Sequence, residues 1–137
     1  MERSNDYKSL SHCRYLVQYH FVWCPKFRFE VIQEDIEQSL KNIFVNISNE
    51  YKYEILELEV MSDHIHIFLS AKLTVAPTDI VRTLKSISTI ELFKEYPKLK
   101  KFYARCGSLW SKGYFVSTIG NVSSRTIKRY IQNQKSN

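Results

Sequence analysis

The sequence predicts an α+β protein of ferredoxin-like order, β-α-β-β-α-β, with two helices on one face of an antiparallel sheet and an extra C-terminal helix. Two strand-like segments are separated by only two residues, which is the length of a tight hairpin. Segments with apolar residues at three- and four-residue spacing lie on either side of that hairpin, as in amphipathic helices. The 137 residues, 44% of them hydrophobic, fit one globular domain spanning 1–137.

The first half of the chain accounts for the first β-α-β-β unit. Residues 1–11 are polar and are expected to form a loose arm. Arg14–Trp23 is rich in β-branched and aromatic residues, which favours a strand. A helix is predicted over Gln33–Tyr51 from its apolar spacing and its acidic first turn. Two further strands are predicted at Glu54–Met61 and His64–Ala71, and they form the hairpin.

The second half supplies the remaining helix and strand. Pro77 opens a helix that stops before Pro97, because proline is favoured in a first turn and breaks a helix interior. The segment 99–109 is predicted to be a basic connector. A short strand lies within 110–119, and Gly120-Asn121 marks a break. A last helix is predicted over residues 123–135, capped by a serine.

The third strand carries the most informative pattern. Its alternation places four apolar side chains on the face beneath the helices: Ile65, Ile67, Leu69 and Ala71. The opposite, open face then receives His64 and His66 side by side. Hairpin pairing sets Glu59 opposite His66, where a carboxylate could either orient a metal-binding imidazole or serve as an extra metal ligand.

His-x-His on a strand is a common way to hold a divalent metal ion, although two ligands do not complete a site. The last helix offers further candidates, because Tyr130 and Gln134 lie four residues apart and share a face. The competing interpretations are two surface histidines and a core-facing tyrosine. His20 is interpreted as structural.

The charge distribution indicates a polyanionic partner. Residues 96–137 carry nine of the 20 basic residues and none of the 14 acidic residues, a formal charge of +9. Basic side chains interleave there with Phe102, Tyr103 and Trp110, as in surfaces that bind single-stranded nucleic acid. The alternative is that much of this aromatic set belongs to the core. The candidate DNA-binding residues are Lys26, Arg28, Lys100, Lys101, Arg105, Lys112 and Arg129.

These residues together resemble a known family. His64-Ile65-His66 reads as an HUH motif, in which U is hydrophobic, and a single C-terminal tyrosine lies on a predicted helix. The chain resembles the small single-tyrosine HUH transposases, the TnpA type of the IS two-hundred-like insertion sequences, over nearly its whole length. The other blocks that carry the resemblance are Tyr19–Trp23, Leu58–Met61, Leu109–Ser111, Tyr114–Val116, Gly120–Ser124 and Ile127–Ile131.

The resemblance implies a single-stranded DNA transposase that recognises hairpin ends and works as a homodimer, in which one subunit's tyrosine helix completes the partner's histidine site. It implies Tyr130 as the nucleophile and His64, His66 and Gln134 as ligands of Mg or Mn. The tyrosine helix, tethered through Gly120-Asn121, could swing between two docked positions, although these two residues fit an ordinary helix boundary equally well.

Three other functions remain open from the sequence. A domesticated nuclease of the same chemistry would process dispersed genomic hairpins. A non-catalytic ferredoxin-like nucleic-acid-binding module would need neither metal nor Tyr130, and a metal-dependent hydrolase would use water instead of the tyrosine. The N-terminus lacks a signal-peptide pattern and no run suits a membrane span, so a cytoplasmic protein without membrane contact is expected.

Overall fold

The computed structural model describes residues 16–118. These residues form a four-stranded sheet and three α-helices. In chain order the elements are β1 (Leu16–Trp23), a 3-10 turn (Lys26–Arg28), α1 (Asp35–Tyr51), β2 (Glu54–Met61), β3 (His64–Lys72), α2 (Pro77–Glu95), α3 (Pro97–Phe102) and β4 (Phe115–Thr118).

The sheet confirms the ferredoxin-like prediction. Its strand order is β2-β3-β1-β4, and every neighbouring pair is antiparallel. β1 and β3 are therefore the central strands. The predicted hairpin register is also confirmed, since Glu59 pairs with His66 and Met61 pairs with His64.

The core lies between one face of the sheet and the two long helices. The four apolar side chains predicted for the inner face of β3 are all buried there. Leu40, Phe44 and Ile47 recur at helical spacing along α1, and Ile80 and Leu84 do so along α2, so each helix buries one stripe. Burial of these apolar stripes is the main stabilising contribution of the helices.

The segment predicted as a basic connector begins within a short helix. Pro97 opens the six-residue helix α3, and Leu99 on this helix is buried. A helix this short contains fewer than two turns, so its apolar residues show no period that the sequence could reveal. The first long helix also begins at Asp35 instead of Gln33, because Glu34 has a φ of 45°, outside the helical region.

The face of β3 opposite the helices is less open than predicted. His66 is 4% exposed, Phe68 is fully buried and Ser70 is also buried. β3 is a central strand, so side chains of β1 and β2 lie against it on both sides. The polar groups on this face therefore lie in a largely desolvated environment.

Two predicted segments lie outside the described residues. These are the N-terminal arm at 1–11 and the C-terminal helix at 123–135. Gly120 and Asn121, predicted as a hinge, lie outside them as well.

Candidate active site

The site is built around the two histidines at the start of β3. Strand alternation points both side chains to the same face, and their ring centroids are 4.9 Å apart with an interplanar angle of 72°. The imidazoles are thus side by side, as the sequence predicted. His64 keeps some solvent access, whereas His66 is buried.

The hairpin turn orients His64. Its Nδ1 donates a hydrogen bond to Oδ1 of Asp63 at 2.6 Å, and Oδ2 of Asp63 accepts from Nε of Arg28 at 3.1 Å. Partial burial acts to raise the pKa of Asp63, but the hydrogen bonds from His64 and Arg28 outweigh it, so this pKa lies below its ordinary value. The ionised carboxylate fixes the tautomer of His64 with the lone pair on Nε2.

His66 is oriented from the neighbouring strand. Nδ1 of His66 lies 3.3 Å from Nε2 of His20, and the two rings are stacked with centroids 5.5 Å apart. One of these nitrogens donates and the other accepts. Burial lowers the pKa of His20, which favours the neutral ring that such a shared bond requires.

His20, interpreted as structural from the sequence, contacts the histidine pair through His66. It pairs with Phe68 across β1 and β3, two positions along from the pairing of Val22 with His66. The signal that could have found this contact is the strand order of the ferredoxin-like fold, which makes β1 the neighbour of β3. Every second residue of β1 then faces the histidines.

Glu59 occupies the position predicted for it, directly across from His66 in the hairpin. Within residues 16–118, no group of three or more His, Cys, Asp or Glu side chains could hold a metal ion. The remaining proposed ligand, Gln134, the proposed nucleophile Tyr130 and the basic residue Arg129 all lie outside the described residues.

The predicted basic candidates fall into two groups. Lys100 and Lys101 lie on α3 and Arg105 follows it, and all three are exposed. Lys26 and Arg28 belong to the 3-10 turn, which ring contacts between Phe29 and Phe102 join to α3. Most of these cations therefore surround one region next to the hairpin turn.

Lys112 lines a cleft of about 670 Å³ between α2 and the segment before β4, and Lys26 lines the same cleft. Lys85 spans this cleft, and its Nζ donates to the carbonyls of Ser111, Lys112 and Gly113 at 2.8, 3.3 and 3.0 Å. Burial lowers the pKa of Lys85. This lysine clamps the segment that leads into β4.

Two of the three aromatic residues predicted to contact nucleic acid belong to the interior. Tyr103 and Trp110 are buried; the Tyr103 hydroxyl donates to the carbonyl of Lys26 at 3.2 Å, and Trp110 Nε1 donates to Ser88 Oγ at 2.9 Å. Burial raises the pKa of Tyr103 to about 12. Only Phe102 remains exposed, because it ends α3 on the outer side.

The fold and the paired histidines define a small α+β protein with part of a candidate metal centre on a central strand. The model of the IS200-like transposase family matches residues 13–134, and the chain belongs to that family. It is 36% identical to the ISDra2 transposase TnpA of Deinococcus radiodurans over 121 residues, 88% of this chain and 85% of that protein. It is 31% identical to the transposase for insertion sequence element IS200 of Salmonella typhimurium over 129 residues, 94% of this chain and 84% of that protein.

Solved structures agree with this assignment. A candidate transposase from Deinococcus radiodurans R1 aligns with a TM-score of 0.71 at 33% identity, covering 88% of this chain and 92% of that chain. A REP-associated tyrosine transposase bound to a REP hairpin aligns with a TM-score of 0.59 at 18% identity, covering 84% and 64% of the two chains. The second match shows a shared fold.

None of the helices within residues 16–118 is both long enough and apolar enough to cross a membrane.

Proposed function

We propose that this transposase cleaves and rejoins single-stranded DNA at hairpin-bearing ends through a 5′-phosphotyrosine on Tyr130. His64, His66 and Gln134 would hold a Mg or Mn ion beside the scissile phosphate. The observation that carries the proposal is the orientation of both histidines, His64 by Asp63 and His66 by His20.

The donor chemistry of the two imidazoles fits a divalent ion. With Nδ1 of His64 donating to Asp63, the lone pair of that ring lies on Nε2. If Nδ1 of His66 likewise donates to His20, its lone pair also lies on Nε2. Neutral imidazoles held in this tautomer are ready to bind a metal without losing a proton, and a bound divalent ion would stabilise charge on the phosphate.

Strand transfer requires a covalent intermediate whose bond to phosphorus retains the energy of the broken phosphodiester. The Tyr130 oxygen attacks phosphorus and its proton passes to solvent. The bond from phosphorus to the 3′ oxygen breaks, and that oxygen takes a proton from solvent and leaves as a 3′-OH. Attack by the 3′-OH of a second strand reverses these changes and releases the tyrosine. An unperturbed tyrosine has a pKa of about 10, so the nearby cation Arg129 would favour its phenolate.

Two further features complete the proposal. The substrate would be a DNA hairpin, as in the structural neighbour that is bound to one. The active unit would be a homodimer in which the helix at 123–135 of one subunit completes the histidine site of the other, with Gly120-Asn121 as its hinge. The domesticated hairpin nuclease shares this chemistry and differs only in its DNA targets.

Formation of a covalent complex tests the proposal. The protein would be mixed with Mn and a labelled single strand carrying the hairpin found at one end of its own element, then run on a denaturing gel. We expect a shifted protein–DNA band that is absent with EDTA, with duplex DNA, with Tyr130→Phe and with His64→Ala. Tyr51→Phe, which changes an exposed tyrosine on α1, serves as the matched control and should retain the band.

Two results would contradict the proposal. DNA cleavage without a covalent band would indicate a hydrolase that uses water. Binding without cleavage, unaffected by EDTA, would indicate a nucleic-acid-binding module.

A further inference from the structure

Three phenylalanines form an exposed aromatic cluster beside the hairpin turn. Phe27, Phe29 and Phe102 are 65%, 45% and 58% exposed. Their rings are in contact, with centroids 5.6 Å apart between Phe27 and Phe29 and 5.5 Å apart between Phe29 and Phe102. Single exposed apolar residues are common on proteins, but contiguous aromatic side chains at the surface mark binding sites. We call these three residues the Phe cluster.

The backbone beneath the Phe cluster is held in an unfavourable conformation. Phe27 and Arg28 have φ angles of 63° and 55°, in the left-handed region that bulky residues seldom adopt. Such strain persists only where the surrounding structure imposes it, and it concentrates at functional sites. Here it turns consecutive side chains of the 3-10 turn outward.

Hydrogen bonds on both sides impose this conformation. The amide of Lys26 donates to the Leu109 carbonyl at 2.8 Å, and the buried Tyr103 hydroxyl donates to the Lys26 carbonyl at 3.2 Å. On the other side, the amide of Ile32 donates to the Ser62 carbonyl in the hairpin turn at 3.1 Å. The Phe cluster is therefore mounted on a rigid support, which lowers the entropy cost of binding a partner.

The surroundings of the Phe cluster are mainly cationic. Exposed basic side chains lie within three residues of its members along the chain: Arg28, Lys100, Lys101 and Arg105. The nearby carboxylates are already engaged, since Glu30 accepts from the Ser62 hydroxyl and Asp63 accepts from Arg28 and His64. Aromatic faces ringed by cations complement a nucleic acid strand, whose bases stack and whose phosphates carry negative charge.

The Phe cluster is also continuous with the histidine site. Arg28 lies between Phe27 and Phe29 in the chain, and its guanidinium binds the carboxylate that orients His64. A strand whose phosphate reached the histidines would pass this surface within a few nucleotides, since a nucleotide spans several ångströms.

We propose that the Phe cluster is a stacking platform for unpaired bases of the single-stranded DNA that leads to the histidine site. This inference rests on the proposed function for its choice of ligand. The platform reads aromatic base faces and not a base sequence, so it would favour single strands over duplex DNA, in which the bases are already stacked.

Binding to strands with and without bases tests the platform. The probes are a fluorescein-labelled dT 20-mer and a 20-mer of the same backbone in which every position is abasic, both measured by fluorescence anisotropy with the full chain. Stacking contributes about 1–3 kcal/mol per base, so we expect Phe102→Ala to weaken dT binding roughly 5- to 150-fold. The same variant should bind the abasic strand as the parent does.

Three further variants keep the result interpretable. Phe29→Ala should reproduce the selective loss, and Phe102→Trp should restore binding because it keeps an aromatic face. Tyr51→Ala removes an exposed aromatic side chain elsewhere and should change neither affinity. The platform would be overturned if Phe102→Ala lost equal affinity for both strands. It would also be overturned if this variant kept its dT affinity, whether or not light scattering showed a changed oligomeric mass.

The outcomes separate this inference from the proposed function. A phosphotyrosine band together with unaltered dT binding by Phe102→Ala would reject the platform alone. Selective loss of dT binding in a protein that never forms the covalent band would reject the tyrosine mechanism and keep the platform.

Discussion

The paired histidines contact two residues that lie outside the His-x-His motif. Asp63 and His20 each engage a Nδ1 atom, at 2.6 Å and 3.3 Å. The carboxylate of Asp63 keeps the proton of His64 on Nδ1, and His20 shares a hydrogen bond with His66. Residues that orient metal-binding histidines typically affect metal affinity about 10- to 100-fold. The orientation of the site can therefore be tested separately from catalysis.

His20→Leu should weaken Mn²⁺ binding by about tenfold or more while the chain stays folded. Leucine fills a buried site without a polar group, but it cannot share a hydrogen bond with His66. His20→Gln offers an amide oxygen near the position of Nε2 and should recover much of the affinity. Titration of Mn²⁺ followed by electron paramagnetic resonance gives the affinity directly, with no need for activity.

Equal Mn²⁺ affinity for His20→Leu and the parent would contradict this role. Thermal unfolding of each variant without metal provides the control, because a purely structural histidine would change the melting temperature and not the affinity of the folded protein.

The sequence predicted some residue-level features of the site and missed others for identifiable reasons. Alternation along β3 sufficed to place His64 and His66 together, and a two-residue turn sufficed to pair Glu59 with His66. The contact with His20 requires knowledge of which strand borders β3. The contact of Arg28 with Asp63 requires the positive φ angles at Phe27 and Arg28, which no periodic pattern encodes.

At the scale of elements, the strands and long helices were predictable because each repeats its apolar pattern several times. α3 contains only six residues, so propensity and spacing gave no signal. Tyr103 and Trp110 interleave with cations in the sequence, which left open whether they belong to a binding surface or to the core. In the structure these side chains point inward and fasten the connector to the 3-10 turn and to α2.

The clamp formed by Lys85 yields a stability prediction. Lys85→Met removes a charged donor from the carbonyls of Ser111, Lys112 and Gly113, and we expect the free energy of unfolding to fall by about 2 kcal/mol. Arg82→Met is the matched control on the same helix, because the ion pair of Arg82 with Asp79 is exposed. Its loss should be under about 1 kcal/mol.

Urea unfolding of both variants measures the difference. Faster amide hydrogen exchange near residues 111–113 in Lys85→Met would localise the effect to the segment before β4. Equal unfolding free energies for the two variants would show that the clamp contributes nothing beyond an exposed charge.

At the scale of the whole molecule, the two faces of the sheet differ in composition. One face is buried beneath α1 and α2 by uniformly apolar side chains. The other face gathers polar and aromatic groups of three strands, including His20, His66 and Phe115. The two histidines are buried there, whereas Phe115 is exposed. The Phe cluster and most candidate DNA-binding cations lie beside the hairpin turn. His64 follows this turn at the start of β3.

Family membership is shown by the match over residues 13–134, but the covalent mechanism is the central proposal. Its reactive atom belongs to Tyr130, whereas the oriented histidines belong to β3. A direct test must therefore identify the residue that carries the DNA.

Mass spectrometry of the trapped complex makes that identification. The protein would react with Mn and its hairpin-ended single strand, and the complex would be digested with nuclease and then with protease. We predict a peptide whose Tyr130 carries a nucleotide through its 5′ phosphate. Cleaved DNA with every tyrosine unmodified, or a nucleotide on any residue other than Tyr130, would contradict the proposal.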